Sequence, residues 1–205
     1  SKDDAIFIET YNDNQKVELA DKNMLFRFLL KFPIVINHLL RHSPSLLTGI
    51  MSKITLFPFL LDFDIKRKHF HKVLHERESL TRGRTIKIKV RRAHLFEDSF
   101  QRMRNLRGDE LRQRMSIQFE GEPGVDAGGL LKDWYQELSK QIFNANYALF
   151  LHCADGTFQP NKDSEINPHH LEFFRFCGRV IGKAIYDGSQ MDVHFTRSFY
   201  KHILG

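Results

Sequence analysis

Apolar residues at three- and four-residue intervals form the dominant pattern of this sequence, and such spacing is typical of amphipathic α-helices. It is clear over residues 25–40, where Pro33 predicts a kink or a division because proline cannot donate the helical hydrogen bond. It returns over residues 130–143, and again after Asn167 and Pro168. These two residues suit the cap and the first position of a long helix that ends near residue 186. The chain is therefore predicted to be mostly helical.

Further helices are predicted between these segments. A second helix is expected over residues 45–61, and a third over residues 65–77 with Asp62 or Asp64 as its cap. Helical candidates lie at 97–104 and 108–113, and a last helix is predicted over residues 196–204. The apolar residues expected on the buried face of the long helix are Leu171, Phe174, Cys177, Ile181 and Ile185. Gly178 and Gly182 on the same helix are expected to let another element approach closely.

The period changes to two over a few short stretches. Isoleucine and valine alternate with lysine over residues 85–90, and a second alternation follows at 115–119, as in half-buried β-strands. Residues 147–153 are predicted to pair with 157–159 across a turn at 154–156. The fold class predicted from these patterns is α+β, predominantly α-helical with a few short strands.

The charge of the chain narrows the possible partners. The 205 residues carry a net charge of +6, and the basic excess concentrates between residues 65 and 92. That stretch could contact nucleic acid, but no zinc-finger or aromatic-basic RNA-binding motif accompanies it, so a solvated basic face is favoured. No apolar run of about 18 residues exists, and no membrane span is predicted.

Two cysteines are too few for a disulfide framework, which favours a reducing setting such as the cytosol or nucleus. Cys177 lies in a helical apolar stripe, where a free cysteine usually behaves as a small buried hydrophobe. Cys153 follows His152, but neighbours on a strand point to opposite faces and cannot form a nucleophile–base pair. Neither cysteine is predicted to be catalytic.

The acidic and glycine-rich residues 119–129 precede a predicted helix. They lack the Gly-Lys-Ser/Thr end of a phosphate-binding loop, and their acids would repel phosphate. Glu120, Glu122 and Asp126 could bind a metal or act in acid/base catalysis, but a helix cap at Asp126 and solvated or paired glutamates are favoured. Histidine pairs at four-residue spacing, His38/His42 and His71/His75, come without a third ligand. No metal and no cofactor is predicted.

A more specific signal comes from five segments in a fixed order. They are RRAHLFEDSF (91–100), MSIQFEGEPGVDAGGLLKDWY (115–135), NANYALF (144–150), INPHHLEFFRFCGRVIGKAIYD (166–187) and FTRSFYKHILG (195–205). Together they resemble the N-lobe of HECT-type ubiquitin ligases. The upstream LLRHSPSLLTGIM and LDFDIKRKHFHKVL are similar to the region before the HECT core in the Mule-like subfamily.

The resemblance implies an organisation and a reaction. Residues 81–205 would form the large subdomain of the HECT N-lobe, and residues 1–80 an N-terminal helical extension packed on it. A HECT ligase accepts ubiquitin as a thioester from a ubiquitin-conjugating enzyme and transfers it to lysines of protein substrates. In the family, the conjugating-enzyme subdomain and the catalytic cysteine follow the region matched here. The nucleophile is therefore expected beyond Gly205, and these residues alone are expected to be inactive. The alternative is a non-catalytic module that binds ubiquitin or another partner.

The resemblance also implies one binding surface. In several HECT ligases the N-lobe carries an exosite that binds ubiquitin non-covalently. The matching residues here are Phe96, Asn144, Asn146 and Tyr147. An exposed Phe96 beside Tyr147 could grip an apolar patch of ubiquitin. The alternative is that both rings belong to the core, as is expected for Trp134 and Tyr135.

Overall fold

A computed structural model describes residues 24–49, 51–76, 85–123 and 127–204. The α-helices of this part are α1 (Met24–Lys31), α2 (Pro33–His42), α3 (Phe63–Glu76), α4 (Leu95–Met103), α5 (Gly108–Leu111), α6 (Ala127–Ile142), α7 (His170–Asp187) and α8 (Arg197–Leu204). The strands are β1 (Thr85–Val90), β2 (Arg114–Phe119), β3 (Phe150–His152) and β4 (Phe158–Pro160). The predicted α+β class with predominant helix is confirmed. The expected cap at Asp126 lies outside the described residues.

Pro33 divides the first apolar segment, as predicted, and occupies the first position of α2. The second predicted helix, over 45–61, is wrong. This stretch forms three short 3₁₀ turns, at Pro44–Thr48, Ser52–Leu56 and Pro58–Leu60. Pro58 cannot donate a helical hydrogen bond, which prevents one continuous helix there.

A buried amide holds these turns against α2. Asn37 is 4% exposed, and its Nδ2 donates to the carbonyls of Pro33 and Leu60, both at 2.9 Å. Its Oδ1 accepts from the backbone N–H of Asp62 at 2.8 Å. The side chain thus satisfies backbone groups that a regular helix would have paired internally. Arg41 extends the connection through hydrogen bonds to Asp62 and Asp64.

The chain divides into two compact units, residues 1–73 and 74–205. The core of the first consists of Leu29, Ile36, Leu40, Leu47, Met51, Ile54, Leu60, Leu61 and Ile65. The predicted division into 1–80 and 81–205, with its assignment of roles, stays a prediction.

In the second unit, β1 and β2 pair in parallel, with Ile88 opposite Ile117 and Val90 opposite Phe119. Each of these four side chains is at most 2% exposed. Both alternating patterns therefore place their apolar residues in the core, as predicted. A parallel pair requires a crossover connection, and α4 and α5 lie within it.

Helix α6 places Trp134 and Tyr135 in the core, both with no exposed surface, which confirms their predicted role. Trp134 Nε1 donates to Ser99 Oγ at 2.9 Å, and Tyr135 Oη donates to Asp187 Oδ2 at 2.8 Å. These hydrogen bonds tie α6 to α4 and to the end of α7. Each buried polar tip therefore has the partner that burial demands.

Helix α7 begins at His170, not at Asn167, whose Oδ1 instead accepts from the backbone of His169. The helix ends as predicted at Gly188, which has the left-handed φ of 67° that glycine tolerates. Its predicted buried face is partly wrong, because Leu171 is 71% exposed and Ile185 50%. The buried residues are Phe176, Cys177, Val180, Lys183 and Ala184.

The two helical glycines also differ from expectation. A Cβ at Gly178 or Gly182 would meet no atom within 4 Å, so neither provides a close approach. The predicted pairing of β3 and β4 is confirmed, with Leu151 opposite Gln159 and Gly156 at φ 82° in the turn. The predicted start of the first strand at residue 147 is wrong, because Tyr147 ends a 3₁₀ turn and β3 begins at Phe150.

Candidate functional site

Phe96 lies at the start of α4 and has no exposed surface. Its ring makes edge contacts with Phe173 and Phe176, with centroids 5.2 and 5.4 Å away. Its backbone N–H donates to Gln141 Oε1 at 2.9 Å. Of the two alternatives left open by the sequence, Phe96 follows the second and belongs to the core. The apolar face of α4 packs against β1, α6 and α7, which its local sequence could not indicate.

Tyr147 is the partly exposed aromatic residue of the predicted site. Its ring stacks on Phe96 with centroids 4.1 Å apart and planes 28° apart. Its Oη donates to Glu97 Oε1 at 2.7 Å. Burial, and then the hydrogen bond to Glu97, raise the pKa of Tyr147 above its usual range. The phenol stays protonated at physiological pH and donates to the carboxylate.

A short 3₁₀ turn, Ala145–Tyr147, carries Tyr147 on the surface. Asn144 caps this turn, because its Oδ1 accepts from the backbone N–H of Asn146 at 2.9 Å. The turn ends at Ala148, the one described non-glycine residue with a positive φ, 54°. Ala148 O accepts from Asn161 Nδ2 at 2.9 Å. Local caps and a distant asparagine therefore fix the loop.

The structure brings all four predicted residues into one region. Asn144 and Asn146 are exposed beside Tyr147, while Phe96 lies beneath it as a support. Their arrangement is an aromatic surface with an amide rim. Such a surface can bury apolar groups of a partner and offer hydrogen bonds at its edge.

Two residues of this region were not predicted. Phe173 is partly buried, and its ring lies 6.4 Å from Tyr147 and 5.2 Å from Phe96. It precedes Phe176 by three positions on α7, and that helical spacing could have identified it. Glu97 lies next to Phe96 in the sequence, but its bond to Tyr147 spans 50 residues and left no local signal.

The cysteines form no catalytic arrangement. Cys177 is 1% exposed, and burial raises the pKa of its thiol to about 12. A thiol with that pKa is almost entirely protonated at neutral pH and is a poor nucleophile. Cys153 is partly buried, and its backbone N–H and carbonyl hold the β3–β4 turn through Thr157 and Gly156.

The described part of the chain also offers neither a metal-binding cluster nor a membrane-spanning helix. No group of three or more His, Cys, Asp and Glu residues that could hold a metal occurs among the residues described. Within the same ranges, no helix has the length and apolar character needed to cross a membrane. Two of the acidic residues before α6 are paired with basic side chains: Glu122 with Arg92, and Glu120 with Lys89 at 3.2 Å.

Comparison with known proteins identifies the class of protein to which these residues are similar. Residues 136–205 match the family model of the HECT domain, described as a ubiquitin-transferase domain. Over these residues the chain is a match to the HECT family, and its mostly helical α+β fold is consistent with an N-lobe fragment of that family.

The particular relatives are very large ligases. E3 ubiquitin-protein ligase TOM1-like of Neurospora crassa is 42% identical over 187 residues, which cover 89% of this chain and 5% of that protein. UPL1 of Arabidopsis thaliana is 42% identical over 200 residues, 96% of this chain and 5% of the relative. HUWE1 of Mus musculus is 41% identical over 188 residues, 90% of this chain and 4% of the relative. The chain thus spans about one twentieth of the length of these Mule-like relatives.

Proposed function

We propose that this chain is part of the N-lobe of a ubiquitin ligase. The proposed reaction takes ubiquitin as a thioester from a conjugating enzyme and passes it to substrate lysines through a cysteine outside these residues. Its support is the HECT match together with about 42% identity to named ligases over most of the chain. The protonated Cys177 thiol argues against a nucleophile at that position.

A thiolate suits this transfer because it attacks the incoming thioester and later leaves when a lysine amine attacks the same carbonyl. The residues described here would serve as a platform for that chemistry. In the same proposal, residues 81–205 act as the large subdomain and 1–80 as its helical extension.

The free thiols of Cys153 and Cys177 support a location in the cytosol or nucleus.

The proposed role of these residues themselves is non-covalent binding of ubiquitin at Tyr147. The observation that carries it is the position of Tyr147, partly exposed on a buried aromatic base and bounded by Asn144 and Asn146. The stacked base and the bond to Glu97 limit the motion of the ring, so little rotamer entropy is lost on binding. Tyrosine is enriched at binding hot spots for this reason and for its large amphipathic surface.

A titration of labelled ubiquitin onto the 205-residue chain tests the surface. Tyr147→Ala is expected to weaken binding roughly tenfold or more, as for a central hot-spot residue. Phe70→Ala is the control, because Phe70 is a 49% exposed aromatic in the other unit. Binding that is absent at high ubiquitin concentration, or equally affected by both variants, would contradict the assignment.

A thioester assay on a longer chain that includes the C-lobe tests the reaction. Charged conjugating enzyme is expected to yield a ubiquitin adduct on the protein that reducing agent removes. If no such adduct forms while ubiquitin still binds at Tyr147, the chain belongs to a binding module and not to a ligase. The two experiments therefore separate the proposed binding from the proposed catalysis.

A further inference from the structure

A concave surface that does not include Tyr147 lies where the C-terminal end of α4 meets α7. It is a cleft of about 240 Å³. Its polar lining comes from Arg104, Asn105, Glu172, Arg175 and Arg179. The ring of Phe100 lies in its wall and is only 7% exposed.

The charge of this cleft is strongly positive, with three guanidinium groups and the single carboxylate of Glu172. Arg175 and Arg179 lie four residues apart on α7, a spacing at which like charges destabilise a helix. Within the described ranges, neither Arg175 nor Glu172 takes part in a side-chain hydrogen bond or an ion pair. Glu172 therefore offsets only one of the three arginine charges, and the lining keeps two excess positive charges.

This arrangement differs from that of Arg91 and Arg92. Arg91 forms a two-point ion pair with Asp98, at 2.7 and 3.0 Å. Arg92 binds both Glu122 and Asp133. Those guanidinium groups are already neutralised, whereas the group of Arg175 keeps its donors for a ligand.

Arg179 holds the end of α4 through one nitrogen and keeps its other two nitrogens as donors for a ligand. Its Nη1 donates to Met103 O at 2.7 Å and to Arg104 O, the carbonyls exposed where α4 ends. These bonds offset the partial negative charge of the helix end, which would otherwise repel an anion. Among the described residues its Nε and Nη2 have no partner. Arg104 lies over Phe100, with its guanidinium carbon 5.4 Å from the ring centroid.

We propose that this cleft binds the phosphoryl group of a phosphoserine or phosphothreonine in a protein segment. A guanidinium fork matches the oxygen geometry of phosphate, and a dianionic group balances three arginines and one glutamate better than a carboxylate does. The volume lies below the roughly 300–1,000 Å³ of pockets that hold drug-sized ligands, so a single side chain is the fitting occupant.

The lining favours a protein over a nucleic acid. Single-stranded nucleic acids bind by stacking their bases on exposed aromatic rings, and Phe100 is nearly buried. Glu172 would also repel the next phosphate of a polynucleotide. Asn105, by contrast, offers a donor and an acceptor that suit the backbone of a peptide.

The experiment is an NMR titration of the 205-residue chain that follows the arginine Nε–H signals. The probe is the pentapeptide Gly-Gly-phosphoserine-Gly-Gly with blocked ends. Its unphosphorylated form, inorganic phosphate and an oligothymidylate serve as comparisons. The phosphopeptide is expected to shift the Arg175 signal in a saturable way, the unphosphorylated peptide to leave it unchanged, and inorganic phosphate to compete weakly.

Arg175→Gln is the informative variant, because this side chain has no bond in the described structure whose loss would disturb folding. It is expected to weaken phosphopeptide binding roughly tenfold or more, the loss of one charge-assisted contact. Arg102→Gln is the control, since Arg102 is an exposed arginine of α4 outside the cleft.

Several results would overturn the proposal. They are an unchanged Arg175 signal at high phosphopeptide concentration, equal losses in both variants, inorganic phosphate that binds as tightly as the phosphopeptide, and an oligothymidylate that binds more tightly. The ubiquitin titration at Tyr147 is a separate measurement, so failure of either proposal leaves the other intact.

Discussion

The ring of Tyr147 stacks on the ring of Phe96 at a centroid distance of 4.1 Å, so a partly exposed side chain rests on one with no exposed surface. The two residues are 51 positions apart, and their contact joins the loop after α6 to the start of α4. It makes Phe96 a support for Tyr147, which is the residue proposed to contact ubiquitin. The two positions should therefore respond differently to substitution.

Phe96→Ala is expected to lower the free energy of unfolding by about 3–5 kcal/mol, the usual cost of removing a buried phenylalanine side chain. Tyr147→Ala should cost clearly less, because its ring is partly exposed already. Urea denaturation followed by circular dichroism measures both. Equal losses in the two variants would contradict the division of roles.

Asn144→Ala removes the side-chain acceptor that caps the turn before Tyr147, and should cost roughly 1 kcal/mol. The larger expected effect is on ubiquitin affinity, because the turn positions the Tyr147 ring. Asn144→Asp retains an oxygen acceptor and is the matched control. If Asn144→Asp lowers affinity as much as Asn144→Ala, the cap is not the cause and direct contact of the amide is indicated.

Asp187→Ala should destabilise the second unit by about 3–5 kcal/mol, because it leaves the Lys183 ammonium buried without a counter-charge. The Lys183 side chain is 1% exposed and donates to Asp187 Oδ1 and, at 3.0 Å, to Gln113 O. Tyr135 would lose its acceptor as well. Chemical denaturation gives the size of the change.

The control for that variant is Asp163→Ala, which breaks the exposed pair of Lys162 and Asp163, with side chains 85% and 73% exposed. Exposed pairs contribute little to stability. Its unfolding midpoint should therefore match that of the unmodified chain. A similar loss in both variants would show that burial of the Lys183 pair is not what makes it important.

Asp98 should make stability depend on acid pH. Its hydrogen bond to the Arg91 guanidinium lowers the pKa of this carboxyl from 3.8 to about 2. A lowered folded-state pKa stabilises the protein above the unfolded pKa, and this contribution disappears as pH falls from about 4 to about 2. The stability difference between the unmodified chain and Asp98→Asn should shrink over that range. A difference that stays constant from pH 5 to pH 2 would refute the assignment.

The two thiols should react at different rates. Cys177 is buried with its pKa raised to about 12, so alkylation by iodoacetamide at pH 8 should require unfolding. Cys153 is partly buried and should react first in the native protein. Mass spectrometry after timed alkylation counts the adducts, and Cys153→Ser identifies which thiol reacted. Rapid native modification of the Cys153→Ser variant would contradict the buried position of Cys177.

Much of the local structure followed from periodicity. The alternation at residues 85–90 and the apolar spacing of α6 identified their elements and their buried residues, because each pattern repeats within a few residues. Gly188 marked the end of α7 for a similarly local reason, the left-handed backbone that glycine tolerates. Pro33 divided the first helical segment because it lacks a backbone donor.

The remaining features depended on contacts between distant residues. The stretch 45–61 forms 3₁₀ turns that Asn37 holds through a buried amide on α2. Leu171 and Ile185 looked like core residues, but the position of α7 against its neighbours selects a different face for burial.

The same distinction applies to the candidate site. The sequence by itself determined which residues could form it, through a resemblance that places Phe96, Asn144, Asn146 and Tyr147 together. Only the tertiary structure decided that Phe96 is enclosed and that Tyr147 meets the solvent. Burial depends on which elements pack over a side chain, and the enclosing Phe173 and Phe176 lie more than 75 residues after Phe96 on a separate helix.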